Sequence, residues 1–157
     1  MGNTYISALI DGLKSKIEVL EQIHQKDEEQ FELTKVMPFP YDDFDRNVEE
    51  KSVLIYKLNK LDQGFELIYN NVKEELSSNK ELYKEEIKTM QNLITRATDL
   101  SVQIQAEESR NKAAMESAFK DEKSRLKSNR SGVKAVRSYT QTMRAGTAYS
   151  GLWDEKK

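Results

Sequence analysis

The fold class is decided by one stretch near the start of the chain, Tyr5–Ile23, which reads YISALIDGLKSKIEVLEQI. Its apolar residues recur in alternating steps of four and three positions. That alternation places them on one stripe of an α-helix that packs along a neighbouring helix at a shallow angle. The stretch therefore predicts a helix of coiled-coil type, whose stripe weakens beyond residue 20. The stripe consists of Ile6, Ile10, Leu13, Ile17 and Leu20.

The same alternation predicts two more helices farther along the chain. The second stripe is apolar throughout, whereas the third is apolar only in its first part. Because polar residues dominate the later part, we expect residues 103–126 to form a solvated or partner-seeking helix. The second stripe runs through Leu54, Leu58, Leu61, Phe65, Ile68, Val72 and Leu76, and the third through Tyr83, Ile87, Met90, Ile94, Ala97, Ser101, Ile104, Glu108, Asn111, Met115 and Phe119.

Two breaks separate the predicted helices. The segment Pro38–Pro40 ends the first helix, because a proline lacks a backbone donor and disfavours helical geometry in the residue before it. Ser78 and Glu81 have the spacing of a capping box, which predicts a tight turn around residues 77–79 and a third helix after it. An uninterrupted helix through residues 77–79 is the alternative, since neither Gly nor Pro occurs there.

The predicted architecture is all-α. An elongated antiparallel hairpin of helices at about 4–36 and 42–76 packs with a long third helix at about 79–127, as a coiled-coil-like three-helix bundle. This bundle forms a single domain, residues 1–131, and residues 132–157 form an amphipathic segment with a flexible C-terminal tail. At 1.5 Å per residue the third helix would span roughly 70 Å. We therefore expect it to project beyond the hairpin. A homodimer could form through the projecting part.

Composition narrows the function classes. The 157 residues are 37% apolar and 33% charged, with no Cys and one His. Disulfides and thiolate chemistry are excluded, and little remains for acid–base catalysis. With no long apolar run and no secretory segment, we expect a soluble, cytoplasmic protein that is not an enzyme and does not insert into membranes.

The sequence offers few candidates for a metal site. His24 lies on the first stripe with Asp27 three residues later, which suggests either a His–Asp pair or half of a metal site. A protein metal site needs about three or four converging ligands, and the chain has no second His. The acidic run Asp42–Asp45 lacks the Gly and the terminal Glu of a calcium-binding EF-hand loop. The sequence therefore favours His24 as a structural residue and predicts no metal, no cofactor and no catalytic residue.

Charge is distributed unevenly along the chain. Residues 1–37 and 38–77 carry net charges of −3 and −4, whereas residues 78–127 and 128–157 carry +1 and +4. A basic segment can bind nucleic acid, but only Tyr139 lies nearby to stack on bases. We therefore favour a solvated helix end or linker and expect no nucleic-acid partner.

The C-terminal segment carries apolar residues at helical spacing, followed after Gly146 by a second apolar group. This segment either docks on its own bundle or becomes ordered on a partner, as amphipathic segments do in grooves. The first group comprises Val133, Val136, Tyr139 and Met143, and the second comprises Tyr149, Leu152 and Trp153.

Four stretches carry a resemblance to a known family. They read YISALIDGLKSKIEVLEQI (5–23), KLNKLDQGFELIYNNVKEEL (57–76), IQAEESRNK (104–112) and SGLWDEKK (150–157). Together they resemble FlgN-type flagellar export chaperones in the form found in clostridial-type bacteria, and the similarity covers nearly the whole chain. The most distinctive piece is the terminal one.

The resemblance implies a function. FlgN-like proteins are small cytoplasmic helical chaperones of the flagellar type III export system. They bind hook–filament junction subunits before export, chiefly through an amphipathic C-terminal helix, prevent premature assembly and deliver the subunits to the export apparatus. A structural coiled-coil scaffold that self-associates and has no export client is the alternative. By location and amphipathicity, the partner-binding residues would be Met115, Phe119, Leu126, Val133, Val136, Tyr139, Met143, Tyr149, Leu152 and Trp153. As an alternative, the residues after Gly146 would contact the export machinery.

Overall fold

Three long helices make up the described part of the protein. The structure, a computed structural model, describes the backbone of residues 2–123 and the side chains of residues 4–122. Within that range the chain forms α1 (Gly2–Leu33), α2 (Tyr41–Ser78) and α3 (Lys84–Lys123), and no strand. The predicted all-α class, a helical hairpin with a long third helix, is confirmed.

Helix α1 packs along both of the other helices. Contacts between side chains show that α1 and α2 are antiparallel. Lys16 Nζ lies 3.0 Å from Asp62 Oδ1, and Gln30 Nε2 donates a hydrogen bond to Asn47 Oδ1 at 3.0 Å. The chain reverses again before α3, which therefore runs parallel to α1.

The first break lies where the prolines predict it. Helix α1 ends at Leu33, three residues before the predicted end, and Thr34 closes it by donating its hydroxyl to the Phe31 carbonyl at 2.6 Å. Helix α2 begins at Tyr41 with two aspartates in its first turn, where carboxylates stabilise the positive end of the helix dipole.

The second break confirms a turn but corrects its position. Helix α2 continues through Ser78, and the turn occupies residues 79–83 before α3 begins at Lys84. The capping box predicted for Ser78 and Glu81 is therefore wrong, because Ser78 belongs to the preceding helix. The uninterrupted helix is excluded as well.

The main core joins all three helices. Because α1 lies against two neighbours, its apolar face is wider than one stripe. Leu9, Val19 and Ile23 are buried, whereas the predicted stripe residues Ile10 and Ile17 are only partly buried. The main core comprises Ile6, Leu9, Leu13, Val19, Leu20, Ile23, Ile55, Leu58, Phe65, Val72, Leu76, Tyr83, Met90, Ala97, Leu100 and Ile104.

A second apolar group, which we call the distal cluster, closes the opposite end of the bundle. It contains residues of the end of α1, of the α1–α2 loop, of the start of α2 and of the later part of α3. Its position corrects one prediction. Across the described residues, α3 does not project beyond the hairpin, because the loop extends the hairpin to cover it. The distal cluster comprises Phe39, Phe44, Val48, Met115 and Ala118, with Leu33, Tyr41 and Phe119 partly buried against them.

Candidate functional site

A buried polar layer separates the main core from the distal cluster. Its members come from all three helices and replace apolar residues at the seam where the helices meet. The expectation that residues 103–126 form a solvated helix is therefore wrong over the described part, since Glu108 and Asn111 are buried. The polar layer consists of Asp27, Gln30, Asn47, Lys51, Glu108 and Asn111.

Lys51 is the centre of the polar layer. Its Nζ lies 2.8 Å from Asp27 Oδ1 and 2.7 Å from Glu108 Oε1, and it donates to Gln30 Oε1 at 3.3 Å. The side chains of Lys51 and Asp27 are both fully buried. One ammonium therefore joins carboxylates from α1 and α3 to α2 without access to solvent.

Amide side chains complete the polar layer. Asn111 Nδ2 donates to the Asp27 carbonyl at 2.8 Å and to Gln30 Oε1 at 3.1 Å. Asn47 Nδ2 donates to the Lys26 carbonyl at 3.0 Å. Because each amide bonds across a helix interface, the layer also sets the register of the three helices.

The polar layer holds one cation against two carboxyl groups. Burial raises the pKa of Asp27 to about 8, against the lowering effect of Lys51, and the nearby Glu108 carboxylate adds to the rise. A buried carboxyl next to another one is more stable with its proton than without it. Asp27 therefore favours its protonated form near neutral pH.

A second group of polar residues, which we call the His24 cluster, comprises His24, Glu28 and Glu107. It lies beside the polar layer on the seam between α1 and α3. His24 Nδ1 lies 2.5 Å from Glu107 Oε2, and Gln103 Nε2 donates to the same oxygen at 3.3 Å. The His–Asp pair that the sequence offered as an alternative does not form, because Asp27 pairs with Lys51 while His24 meets the Glu107 carboxylate of α3.

Burial shifts the pKa of one member of the His24 cluster. Desolvation raises the pKa of Glu107, and the adjacent His24 and the Gln103 amide partly offset that effect. Among the described residues, the three members of the His24 cluster (His24, Glu28 and Glu107) are the set whose possible ligand atoms come close together. One ligand atom from each residue lies within 4.8 Å of the other two.

Two of the predicted partner-binding residues lie in the described part, and both belong to the distal cluster. Met115 is only 2% exposed, and Phe119 is partly buried with its ring centroid 4.7 Å from that of Phe39 and 5.6 Å from that of Tyr41. The solvated helix expected for residues 103–126 does not hold at these two positions, because both side chains pack within the distal cluster. Their contact with a partner stays a prediction. The remaining predicted residues, Leu126, Val133, Val136, Tyr139, Met143, Tyr149, Leu152 and Trp153, lie outside the described residues.

Sequence reasoning missed the buried charged residues. Lys16 and Asp62 form an ion pair at 3.0 Å inside the main core. Lys51 forms an ion pair with Asp27 in the polar layer. A signal for them exists in the spacing. Lys16, Asp27 and Gln30 fall in a single series with apolar residues, and the series alternates steps of four and three throughout. It runs Leu9, Leu13, Lys16, Leu20, Ile23, Asp27 and Gln30.

Comparison with known proteins leaves the family open. No family model, curated protein or solved structure matches the chain. None of the helices formed by residues 2–123 combines the length and the apolar character needed to cross a membrane.

Proposed function

We propose that this protein is a cytoplasmic chaperone of the FlgN type. In this proposal it holds a hook–filament junction subunit through the later part of α3 and the segment that follows it, and delivers that subunit to the type III export apparatus. The observation that carries the proposal is the construction of the distal end. There, a small aromatic cluster is separated from the main core by the polar layer and is continuous in sequence with the amphipathic C-terminal segment.

The polar layer makes the distal end the easier one to open. Buried ion pairs contribute less to stability than apolar residues of similar volume, because desolvation offsets the attraction between the charges. Separating the later part of α3 from the hairpin therefore costs less than separating its earlier part. An apolar helix of a client can then take up contacts with Met115 and Phe119 that the distal cluster makes in the free protein.

The composition supports the same proposal. An export chaperone needs a charged surface and an apolar helical stripe for its client, and it needs no catalytic group. The sequence supplies the first two, and neither its motifs nor the geometry of the described residues suggests a catalytic centre.

The alternative is a self-associating scaffold, and one observation favours it. The outer face of α2 carries three large apolar side chains, Val53, Tyr56 and Leu67, which are between 64% and 69% exposed. They share one face of the helix, opposite the core. A second copy of the chain could pack on that face.

Truncation tests the client-binding proposal. Deleting residues 115–157 would also remove three members of the distal cluster, Met115, Ala118 and Phe119, so the sharper variant ends at residue 123. We expect this variant to keep the helical content and melting temperature of the bundle. It should lose most of its affinity for a hook–filament junction protein, as measured by calorimetry. Full-length protein with Val102→Ser, which changes an exposed residue of α3, is the matched control and should bind normally. Undiminished binding by the truncated chain would place the client site elsewhere.

Light scattering tests the alternative. A scaffold predicts a concentration-dependent dimer that Leu67→Ser and Tyr56→Ser dissociate. The chaperone proposal predicts that these two substitutions leave client affinity unchanged.

A further inference from the structure

We infer that His24, Glu28 and Glu107 form a binding site for one divalent transition-metal ion of the Zn²⁺ type. The inference does not rest on the proposed function. It rests on how three ligand side chains converge, on an unsatisfied carboxylate oxygen and on the chemistry of the donor set.

The backbone brings the ligands together. His24 and Glu28 are four residues apart on α1, so their side chains lie on the same face of that helix. Glu107 projects from α3, which runs alongside in the same direction. As a result, a ring nitrogen of His24 and one carboxylate oxygen from each glutamate all lie within 4.8 Å of one another.

The second observation concerns the other oxygen of Glu107. This residue is only 7% exposed, and its Oε1 is buried and has no hydrogen-bond partner, although Oε2 accepts bonds from His24 and Gln103. An unsatisfied buried acceptor is costly, and in native proteins it usually has an explanation such as a bound water or ion. A cation bound beside His24 by both carboxylate oxygens of Glu107 would satisfy it.

Small movements would complete the coordination. Ligands at 2.0–2.1 Å from a tetrahedral Zn²⁺ lie about 3.4 Å apart, so His24 Nδ1 and Glu107 Oε2 would separate by about 1 Å from their 2.5 Å contact. Glu28 has to approach, and its side chain is 49% exposed. Its Oε1 lies 3.4 Å from Arg110 Nη2, which leaves Oε2 available for the ion.

The donor set selects the class of ion. Imidazole is a ligand for Zn²⁺ and its neighbours among the transition metals, whereas Mg²⁺ and Ca²⁺ prefer sites made wholly of oxygen. Two carboxylates balance the charge of a divalent ion. Because the His24 side chain is 32% exposed, water can reach the fourth position. The ion would join α1 to α3 next to the polar layer.

The chain offers an unambiguous probe, because His24 is its only histidine. We would add Zn²⁺ to full-length protein and follow the imidazole resonances by NMR, with calorimetry for stoichiometry and a thermal melt. We expect one Zn²⁺ per chain, a shift of the His24 signals that saturates at that ratio, and a higher melting temperature. Mg²⁺ at the same concentration should produce no such shift.

Substitutions decide whether the three residues act together. Glu28→Gln changes a half-exposed side chain and should not disturb folding, yet we expect it to weaken Zn²⁺ binding at least about tenfold, since even changes outside the ligand shell commonly cost that much. His24→Asn should abolish the stoichiometric site. Glu21→Gln is the matched control, because it removes an exposed carboxylate that pairs with Arg96 across the same two helices and should leave binding intact. Retained binding in both His24→Asn and Glu28→Gln, or the absence of a stoichiometric site in the unaltered protein, would overturn the inference.

Discussion

Lys51 is the residue on which the polar layer depends. Its ammonium lies within 2.8 Å of two carboxylate oxygens, one on α1 and one on α3. Replacing it with Met would leave Asp27 and Glu108 buried without their cation. Removing one partner of a buried ion pair typically costs about 3–5 kcal/mol. We therefore expect Lys51→Met to lower the free energy of unfolding by about that amount in urea denaturation. A loss below about 1 kcal/mol would mean that water reaches the layer.

The whole ionic group should behave differently from its parts. Replacing Lys51, Asp27 and Glu108 together with Met, Leu and Leu leaves no buried charge unpaired. Such apolar replacements are often neutral or stabilising. We expect the triple variant to be at least as stable as the original protein, as judged by its urea midpoint. A triple variant as unstable as Lys51→Met would show that the ion pairs are net stabilising here.

Asp27 makes stability depend on pH. Its pKa in the folded protein, about 8, is far above the ordinary value of 3.8, so between these values the folded chain keeps a proton that the unfolded chain has lost. Stability should therefore fall as the pH rises from about 4 to about 8. Urea midpoints at pH 5, 6.5 and 8 would measure this fall, and Asp27→Asn should flatten it. The raised pKa of Glu107 acts in the same direction, so Glu107→Gln serves as the comparison.

The sequence predicted where the seams run but not what lies in them. The third stripe correctly includes Glu108 and Asn111, yet a single helix taken alone suggests that such residues face water. Their burial depends on partners at the same height in other helices, namely Lys51 on α2 and Asp27 on α1. The His24 cluster was missed for the same reason, because Glu107 lies 83 positions after His24 in the chain.

At the scale of the helix, Gly64 lies in the interior of α2. A Cβ added there would meet no other atom within 4 Å. Since Gly costs roughly 1 kcal/mol relative to Ala within a helix, we expect Gly64→Ala to raise the free energy of unfolding by about that amount. Gly12 in α1 has equally open surroundings, and Gly12→Ala should give a similar gain. A loss of stability at either position would mean that another molecule packs against that face.

Helix α3 should not be equally stable along its length. Its earlier part contributes Met90, Ala97 and Ile104 to the main core, whereas its later part follows the polar layer and packs only on the small distal cluster. Regions with fewer apolar contacts open at lower free energy. We expect native-state hydrogen exchange to be faster for amides of residues 109–121 than for those of residues 88–104. Equal protection throughout would contradict the proposal that the distal end opens for a client.

The end of α1 and the start of α2 were predictable to within a few residues, because the prolines between them act locally. The position of the second turn was not. Residues 79–83 contain neither Gly nor Pro, and the chain reverses there because the stripes of α2 and α3 must both face α1. That requirement arises from packing between helices, which the Ser78–Glu81 spacing does not reveal.

For the whole molecule, three helices of similar length close a bundle in which α1 has a neighbour on two sides. The apolar stripe that predicted α1 is therefore satisfied within one chain. The predicted homodimer loses its original argument, which was an α3 projecting beyond the hairpin. Among the described residues, the outer face of α2 keeps several large apolar side chains exposed. The basic segment with the chain's one tryptophan lies outside the described residues.

Trp153 tests how that segment relates to the bundle. Three glycines (Gly132, Gly146 and Gly151) and a terminal run of four charged residues argue from the sequence against stable docking on the bundle. We therefore expect red-shifted tryptophan fluorescence in the free protein and a blue shift when a client is added. Trp153→Ala should leave the melting temperature unchanged while weakening client binding, and Trp153→Phe should restore part of that binding. If the segment instead docks on its own bundle, burial of this side chain and Leu152 would contribute about 2–4 kcal/mol. A blue-shifted signal in the free protein, together with a lower melting temperature for Trp153→Ala, would then identify the segment as part of the folded domain.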